Sequence, residues 1–187
     1  MYLQIFRRNG EGPVAKNGYN KTKRICFMGL MFAAAVTLSY LEGMITVPGL
    51  PPGVKLGLSN IVTMYCVFFL GVKDGYTIAV LKALSVFLMR GPTGAFLSLL
   101  GGLLSVTVML LLIKIPKKPL SYLVISVFGS ICHNLGQLTG SSMMTGTGLT
   151  MYYFPILLIS GLGMGVVTGL VLKTVLPAVE KLDRRLR

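Results

Sequence analysis

Charged residues are scarce in this sequence. They make up 12% of its 187 residues, only five residues are acidic, and tryptophan is missing altogether. Soluble domains carry about 25% charged residues, so an ordinary soluble fold is excluded. Hydrophobic residues are abundant instead: they make up 53% of the sequence, and the mean hydropathy is +0.77. The composition predicts an all-α integral membrane protein, because long apolar runs cross a bilayer as helices.

The sequence also lacks the residues that most enzyme sites require. It has one histidine, and its five acidic residues are too scattered to hold Mg²⁺ for diphosphate chemistry. It contains no G-x-x-x-x-G-K-[ST] motif and therefore no ATPase of its own. Its three cysteines lie inside apolar segments without C-x-x-C spacing, which argues against a disulfide framework or a metal site. We predict no catalytic residues, no metal ligands and no enzyme activity.

Hydrophobic runs of about 20 residues mark helices that cross a bilayer. We predict six transmembrane helices, at residues 25–44, 56–71, 74–90, 94–113, 120–139 and 150–177. The corresponding domain plan has three parts: a cytoplasmic N-terminal arm (1–23), a six-helix transmembrane domain (24–180) and a basic cytoplasmic tail (181–187). An even number of spans places both the N- and the C-terminus in the cytoplasm.

The distribution of positive charge supports this orientation. All but three of the 18 basic residues fall on the side of the two termini, as the positive-inside rule expects for the cytoplasm. The exceptions are Lys55, Lys82 and Arg90. The net charge of +13 therefore indicates contact with membrane lipid rather than with nucleic acid.

Two loops are predicted on the outer side. The segment Glu42–Lys55 is rich in proline and glycine and is expected to be irregular. The segment Thr139–Gly148 is small, uncharged and suited to act as a lid. Plain connections are equally good interpretations of both.

Ionisable side chains inside a span are costly unless they are paired or line water. Lys82 lies near the middle of the third predicted span and Arg90 at its end, while Lys55 opens the second span, followed by Asn60. These three cations would form an outward-facing positive pocket for an anionic ligand. The alternatives are snorkelling of Lys55 and Arg90 to the interface, and a structural role for Lys82 paired with Glu42.

The fifth predicted span carries one continuous polar face. Helical spacing places six side chains on it: Ser126, Ser130, His133, Asn134, Gln137 and Ser141. Such a face either hydrogen-bonds neighbouring helices or lines a cavity. We expect it to line a ligand cavity in which Asn134 and Gln137, together with Asn60, read the edge of a polar ring or a hydroxylated chain. His133 would orient the ligand or donate to it, and Ser130 is a further residue of this binding site.

Small residues at four-residue spacing indicate faces where membrane helices approach closely. The last predicted span carries Gly161, Gly165 and Gly169, for which packing inside the bundle is the favoured interpretation. The first span carries Gly29, Ala33 and Thr37. For this second face, a partner subunit and internal packing are equally good explanations.

Several motifs together resemble a known family. The stretches "GVKLGLSN", "KALSVFLMRGPTGAFLSLLGG" and "HNLGQL" are similar to the Gx transporter family, which is often labelled heptaprenyl diphosphate synthase component I. The six short helices and the shaped first loop resemble the S components of energy-coupling-factor transporters. The resemblance covers residues 24–180 and implies an S-component-like bundle in the bacterial cytoplasmic membrane.

This resemblance implies transport of a small molecule. Related S components bind vitamins, and relatives of the Gx family are associated with flavin supply, so the expected ligand is riboflavin, FMN or FAD, with export of FAD as one form of the activity. The expected partners are membrane lipid and either an energising membrane subunit with ATPases or a second copy of the chain. Three alternatives stay open: another vitamin, an isoprenoid or quinone precursor, and a non-transporting anchor of a redox or prenyl-synthase complex.

Overall fold

The computed structural model describes residues 21–44, 58–114, 120–146 and 152–185. These residues form an all-α structure. Its helices are α1 (Lys21–Met44), α2 (Asn60–Phe69), α3 (Val72–Lys114), α4 (Tyr122–Thr145) and α5 (Phe154–Arg185). Within these described residues, three segments are long and apolar enough to cross a membrane: Arg24–Met44, Val72–Lys114 and Phe154–Thr174.

The 43-residue helix α3 is broken in its middle. Gly91 has φ 75° and ψ −172°, a conformation that interrupts the helix just before Pro92. Residues before the break contact residues after it, and the two partners lie at increasing distances in sequence from Gly91. The pairs are Val86 with Gly94, Ala79 with Gly102 and Tyr76 with Thr107. The halves 72–90 and 92–114 therefore fold back on each other as an antiparallel hairpin, at the boundary that the sequence predicts between the third and fourth spans.

Contacts between residue pairs also give the directions of the other helices. Helix α4 runs antiparallel to the second half of α3, through the pairs Met109–Gly129, Gly101–Gly136 and Leu97–Gly140. Helix α5 runs antiparallel to α4, through Leu123–Gly169, Val127–Gly165 and Ile131–Gly161. Helix α1 instead runs parallel to the first half of α3, because Arg24 meets Asp74 and Gly43 meets Arg90.

Helix α2 is short because it is enclosed by protein. Its side chains from Val62 to Phe68 are buried, and most of them belong to the main apolar core, with Ile78 and Ala79 of α3 and Ala35 of α1. A helix surrounded by other helices does not have to match the bilayer thickness, because its irregular ends are shielded from lipid. The ten residues of α2 lie inside the second predicted span, 56–71, and are fewer than that span has.

We call the two ends of the bundle inner and outer, following the predicted orientation. The inner end carries Arg24, Lys73, Lys114 and Lys173, whereas the outer end contains Met44, Arg90, Thr145 and Phe154. Many large apolar side chains on α1 and α5 are exposed, including Leu30, Ile159 and Leu170. In a protein of this hydropathy such faces are the ones that contact lipid.

The structure corrects the prediction of a lid. Residues 139–145 belong to α4, which ends only where Gly146 takes a left-handed conformation with φ 63°. The Thr139 and Thr145 hydroxyls donate to carbonyls one turn back in their own helix, so this segment is regular helix and not a flexible loop. The basic segment at the C-terminus is helical as far as Arg185, and the first helix begins inside the predicted N-terminal arm, at Lys21.

An ion pair joins α1 to α3 at the inner end. An Arg24 guanidinium nitrogen lies 2.7 Å from Asp74 Oδ2, with the arginine side chain 42% exposed and the aspartate side chain 11% exposed. We expect Arg24→Ala to lower the free energy of unfolding by about 0.5–1 kcal/mol, since a partly exposed pair contributes little. Denaturant unfolding in detergent measures the change.

The control for this prediction is Lys114→Ala, which removes an exposed cation from the same end of the bundle. The exchanged pair Arg24→Asp with Asp74→Arg should recover most of the stability that either single reversal loses. Failure of the exchange to recover stability would show that the two charges do not interact.

Candidate functional site

A buried lysine and a buried asparagine meet in the outer half of the bundle. Lys82 and Asn60 are 2% and 1% exposed, and Lys82 Nζ donates to Asn60 Oδ1 over 2.9 Å. The antiparallel packing of α2 on the first half of α3 brings them together, since Val67 meets Gly75 about two turns nearer the inner end. Two residues that the sequence assigns to one pocket are therefore in direct contact.

The other two predicted cations are placed differently. Arg90 is exposed at the tip of the α3 hairpin, and its guanidinium lies over α1, where a Cβ added to Gly43 would be 2.5 Å from a guanidinium nitrogen. Lys55 lies outside the described residues. Glu42, which the sequence predicts as a possible partner of Lys82, is buried beside Gly43 and only 3% exposed.

The polar face of α4 is divided between two neighbouring helices. On one side Ser126 Oγ donates to the Gly165 carbonyl over 2.7 Å, and Asn134 Nδ2 donates to the Leu157 carbonyl over 2.8 Å. Asn134 Nδ2 also reaches Ser160 Oγ at 3.2 Å. These bonds fasten α4 to α5, as polar side chains commonly do between membrane helices.

His133 faces the opposite neighbour. Its imidazole lies against Gly101 of α3, where an added Cβ would be 2.9 Å from the ring atoms Cε1 and Nδ1. Glycine at position 101 therefore provides the space that the ring occupies. Ser130 and Gln137, on the same face, are each 2% exposed.

A small cleft opens between α4 and α5 beside Asn134. It has a cavity volume of about 10 Å³ and is otherwise lined by apolar side chains such as Leu138, Phe154 and Leu157. A volume of this size is about the space of a single water molecule. The cleft therefore does not hold a flavin in this conformation.

The two rows of small residues have different surroundings. Gly161, Gly165 and Gly169 all lie against the backbone of α4, at contact distances that leave no room for a side chain. Gly29 has open space where a Cβ would be, and Ala33 and Thr37 are exposed. The row on α5 thus packs inside the bundle, whereas the described residues leave the row on α1 uncovered.

Sequence reasoning missed several buried hydroxyl groups. Thr63, Ser105 and Thr168 are each 1% exposed, and their hydroxyl oxygens have no hydrogen-bond partner within the described part of the chain. The sequence could have indicated that Thr63 lies beside Asn60, because the two residues are three positions apart and so share one face of α2. The described residues contain no cluster of three or more metal-ligating side chains.

The fold defines the class of protein. This architecture matches the S component of a bacterial ECF transporter with a TM-score of 0.58, over 90% of this chain and 99% of that chain, at 20% sequence identity. An S-component fold with three long apolar helices makes this a membrane protein.

A family model identifies the chain more closely. The model described as heptaprenyl diphosphate synthase component I matches residues 31–175. The chain therefore belongs to that family, and the resemblance seen in its motifs is confirmed. No curated protein matches the chain.

Proposed function

We propose that this protein is a membrane transporter of S-component type that binds a small polar or anionic cofactor, most favourably a flavin, in its outer half. The observation that supports this most directly is the buried contact between Lys82 and Asn60. A lysine inside a membrane bundle is costly, and such residues commonly mark the path of a polar substrate. The contact lies near the middle of the first half of α3, at the start of α2, and a ligand would reach it from the predicted outer side.

The word synthase in the family description does not fit the residues of this chain. Prenyl transfer from a diphosphate uses clustered carboxylates to hold Mg²⁺. The five acidic residues are spread over the whole sequence, at Glu11, Glu42, Asp74, Glu180 and Asp183. We therefore propose binding and transport without catalysis.

The uncovered face of α1 supports a partner in the membrane. Gly29, Ala33 and Thr37 form a flat strip without a neighbour among the described residues. Close backbone approach at such a strip is how membrane helices associate. We propose that an energising membrane subunit docks here, with a second copy of the chain as the other candidate.

Binding of flavins tests the proposal. Detergent-purified protein is expected to quench the fluorescence of riboflavin, FMN or FAD in a saturable way. Lys82→Met should weaken the tightest of these interactions by about tenfold or more, because it removes a buried charged donor. The matched control is Lys73→Met, which removes an exposed lysine from the inner end of the same helix.

Other outcomes would point to the alternatives. A different vitamin or an isoprenoid precursor retained through purification would be identified by native mass spectrometry and would replace the flavin. If the protein bound no small molecule and Lys82→Met left its function in the cell intact, the protein would be a non-transporting anchor subunit.

A further inference from the structure

The beginning of α2 is a buried helix N-terminus. The helix starts at Asn60, and its N-cap residue Ser59 makes no capping hydrogen bond through its side chain. Ser59 and Asn60 are only 3% and 1% exposed. The Ile61 N–H donates to the Leu58 carbonyl and the Thr63 N–H to the Ser59 carbonyl. The partial positive charge of a helix start, together with its remaining N–H groups, still favours an anion.

A second observation at the same place points to a ligand. Lys82 Nζ donates to Asn60 Oδ1, which fixes the orientation of the amide and leaves Nδ2 as the donor group of the side chain. Asn60 Nδ2 is fully buried and has no hydrogen-bond acceptor within the part of the chain that the structure describes. Burying an amide donor without an acceptor costs free energy, because the group has lost its hydrogen bond to water. A bound acceptor would recover that cost.

The neighbouring groups supply further donors. Thr63 lies one turn along α2, and its buried hydroxyl has no partner among the described residues. The charged residues in the outer half of the described bundle are Lys82, Arg90 and Glu42, and Lys82 is the cation that contacts the start of α2. A lysine ammonium, an amide N–H₂, a hydroxyl and a helix N-terminus together offer donors to an oxygen-rich anion.

We infer that the start of α2, with Lys82, is a subsite for an anionic oxygen group, a phosphate or a carboxylate, on the transported ligand. This inference rests on the proposed function and gives the site a substrate class. It changes the role expected for Asn60, which donates to the anion together with Lys82 and does not read a ring edge. It also separates Arg90 from the subsite, since that side chain lies over α1.

The inference predicts an order among flavins. FMN and FAD carry phosphate and riboflavin carries none, so FMN or FAD should bind about tenfold or more tightly than riboflavin. Asn60→Asp is the sharpest variant, because it keeps the shape of the side chain and an acceptor for Lys82 while placing negative charge at the subsite. It should remove the preference for FMN or FAD over riboflavin, whereas the control Lys73→Met, at an exposed lysine of the inner end, should keep that preference.

The outcomes separate the inference from the function. Equal affinity for riboflavin, FMN and FAD, or a phosphate preference that survives Asn60→Asp, would overturn the subsite while leaving flavin transport standing. If no flavin binds, the flavin assignment fails, and the subsite is tested with inorganic phosphate, pyrophosphate and acetate at constant ionic strength. Thermal stabilisation of the wild type by one of these anions, lost in Asn60→Asp, would support it, and no stabilisation would overturn it.

A lipid headgroup carries the same chemistry as a free phosphate. Delipidated protein is therefore also titrated with a short-chain phosphatidylglycerol and with the matching phosphatidylcholine. Stabilisation by phosphatidylglycerol and by none of the soluble anions would overturn the assignment of this subsite to a transported ligand. Stabilisation by the soluble anions without lipid supports it.

Discussion

Gly165→Ala is expected to lower the free energy of unfolding by about 1–3 kcal/mol, the usual cost of overpacking a close contact. A Cβ at this position would collide with the backbone of Val127 on α4, and backbone cannot move aside as a flexible side chain can. The two helices would have to separate along their length, which would also stretch the bond from Ser126 to the Gly165 carbonyl. Gly165→Leu should abolish folding.

The control for this prediction lies two residues away on the same helix. Gly163 has no atom within 4 Å of the position of its Cβ, so Gly163→Ala should be neutral or slightly stabilising, because alanine loses less backbone entropy than glycine on folding. Unfolding by denaturant in detergent compares the two variants. Equal stabilities would contradict the packing of α5 on α4.

Gly91→Asn is expected to destabilise the protein by about 1–3 kcal/mol, because the side chain would strain the backbone and not because it would collide with a neighbour. No atom lies within 4 Å of a Cβ added at Gly91, yet its φ of 75° and ψ of −172° belong to a region that is open almost only to glycine. Any side chain would strain the turn of the α3 hairpin. The first half of α3 carries Lys82, so we also expect ligand affinity to fall.

Gly146 provides the matched comparison. It too has open space around the position of its Cβ, but its φ of 63° and ψ of 10° are left-handed helical values, which asparagine tolerates well. Gly146→Asn should therefore change the free energy of unfolding by less than about 0.5 kcal/mol. If both variants lost the same stability, the hairpin would not depend on the backbone conformation of Gly91.

Much of the helix arrangement could be predicted from local signals. Gly91 and Pro92 mark the break in α3 because neither residue continues a helix easily, and the apolar runs on either side have the lengths of the two halves. The lid was predicted wrongly for an equally local reason. Small polar residues are typical of loops, but Thr139 and Thr145 satisfy their hydroxyls on their own helix, so the composition did not interrupt α4.

The candidate site was less predictable because its contacts depend on how helices pair. The sequence shows that Lys82 is buried in a span, but its bond to Asn60 exists only because α2 and the first half of α3 are antiparallel in one particular register. The sequence predicts that His133 and Asn134 share one polar face of the helix. Neighbouring residues on a helix point about 100° apart, so one faces Gly101 on α3 and the other bonds to α5.

The hairpin of α3 also bears on how the chain enters the membrane during synthesis. A single residue, Gly91, connects its halves, so almost no polypeptide lies between them, and we expect the halves to insert as one unit. Lys82 is carried into the bilayer within this unit. Because α2 precedes α3 in the chain, Asn60 is synthesised before Lys82. The hydrogen-bond acceptor of the lysine ammonium is therefore already present in the chain when Lys82 is added.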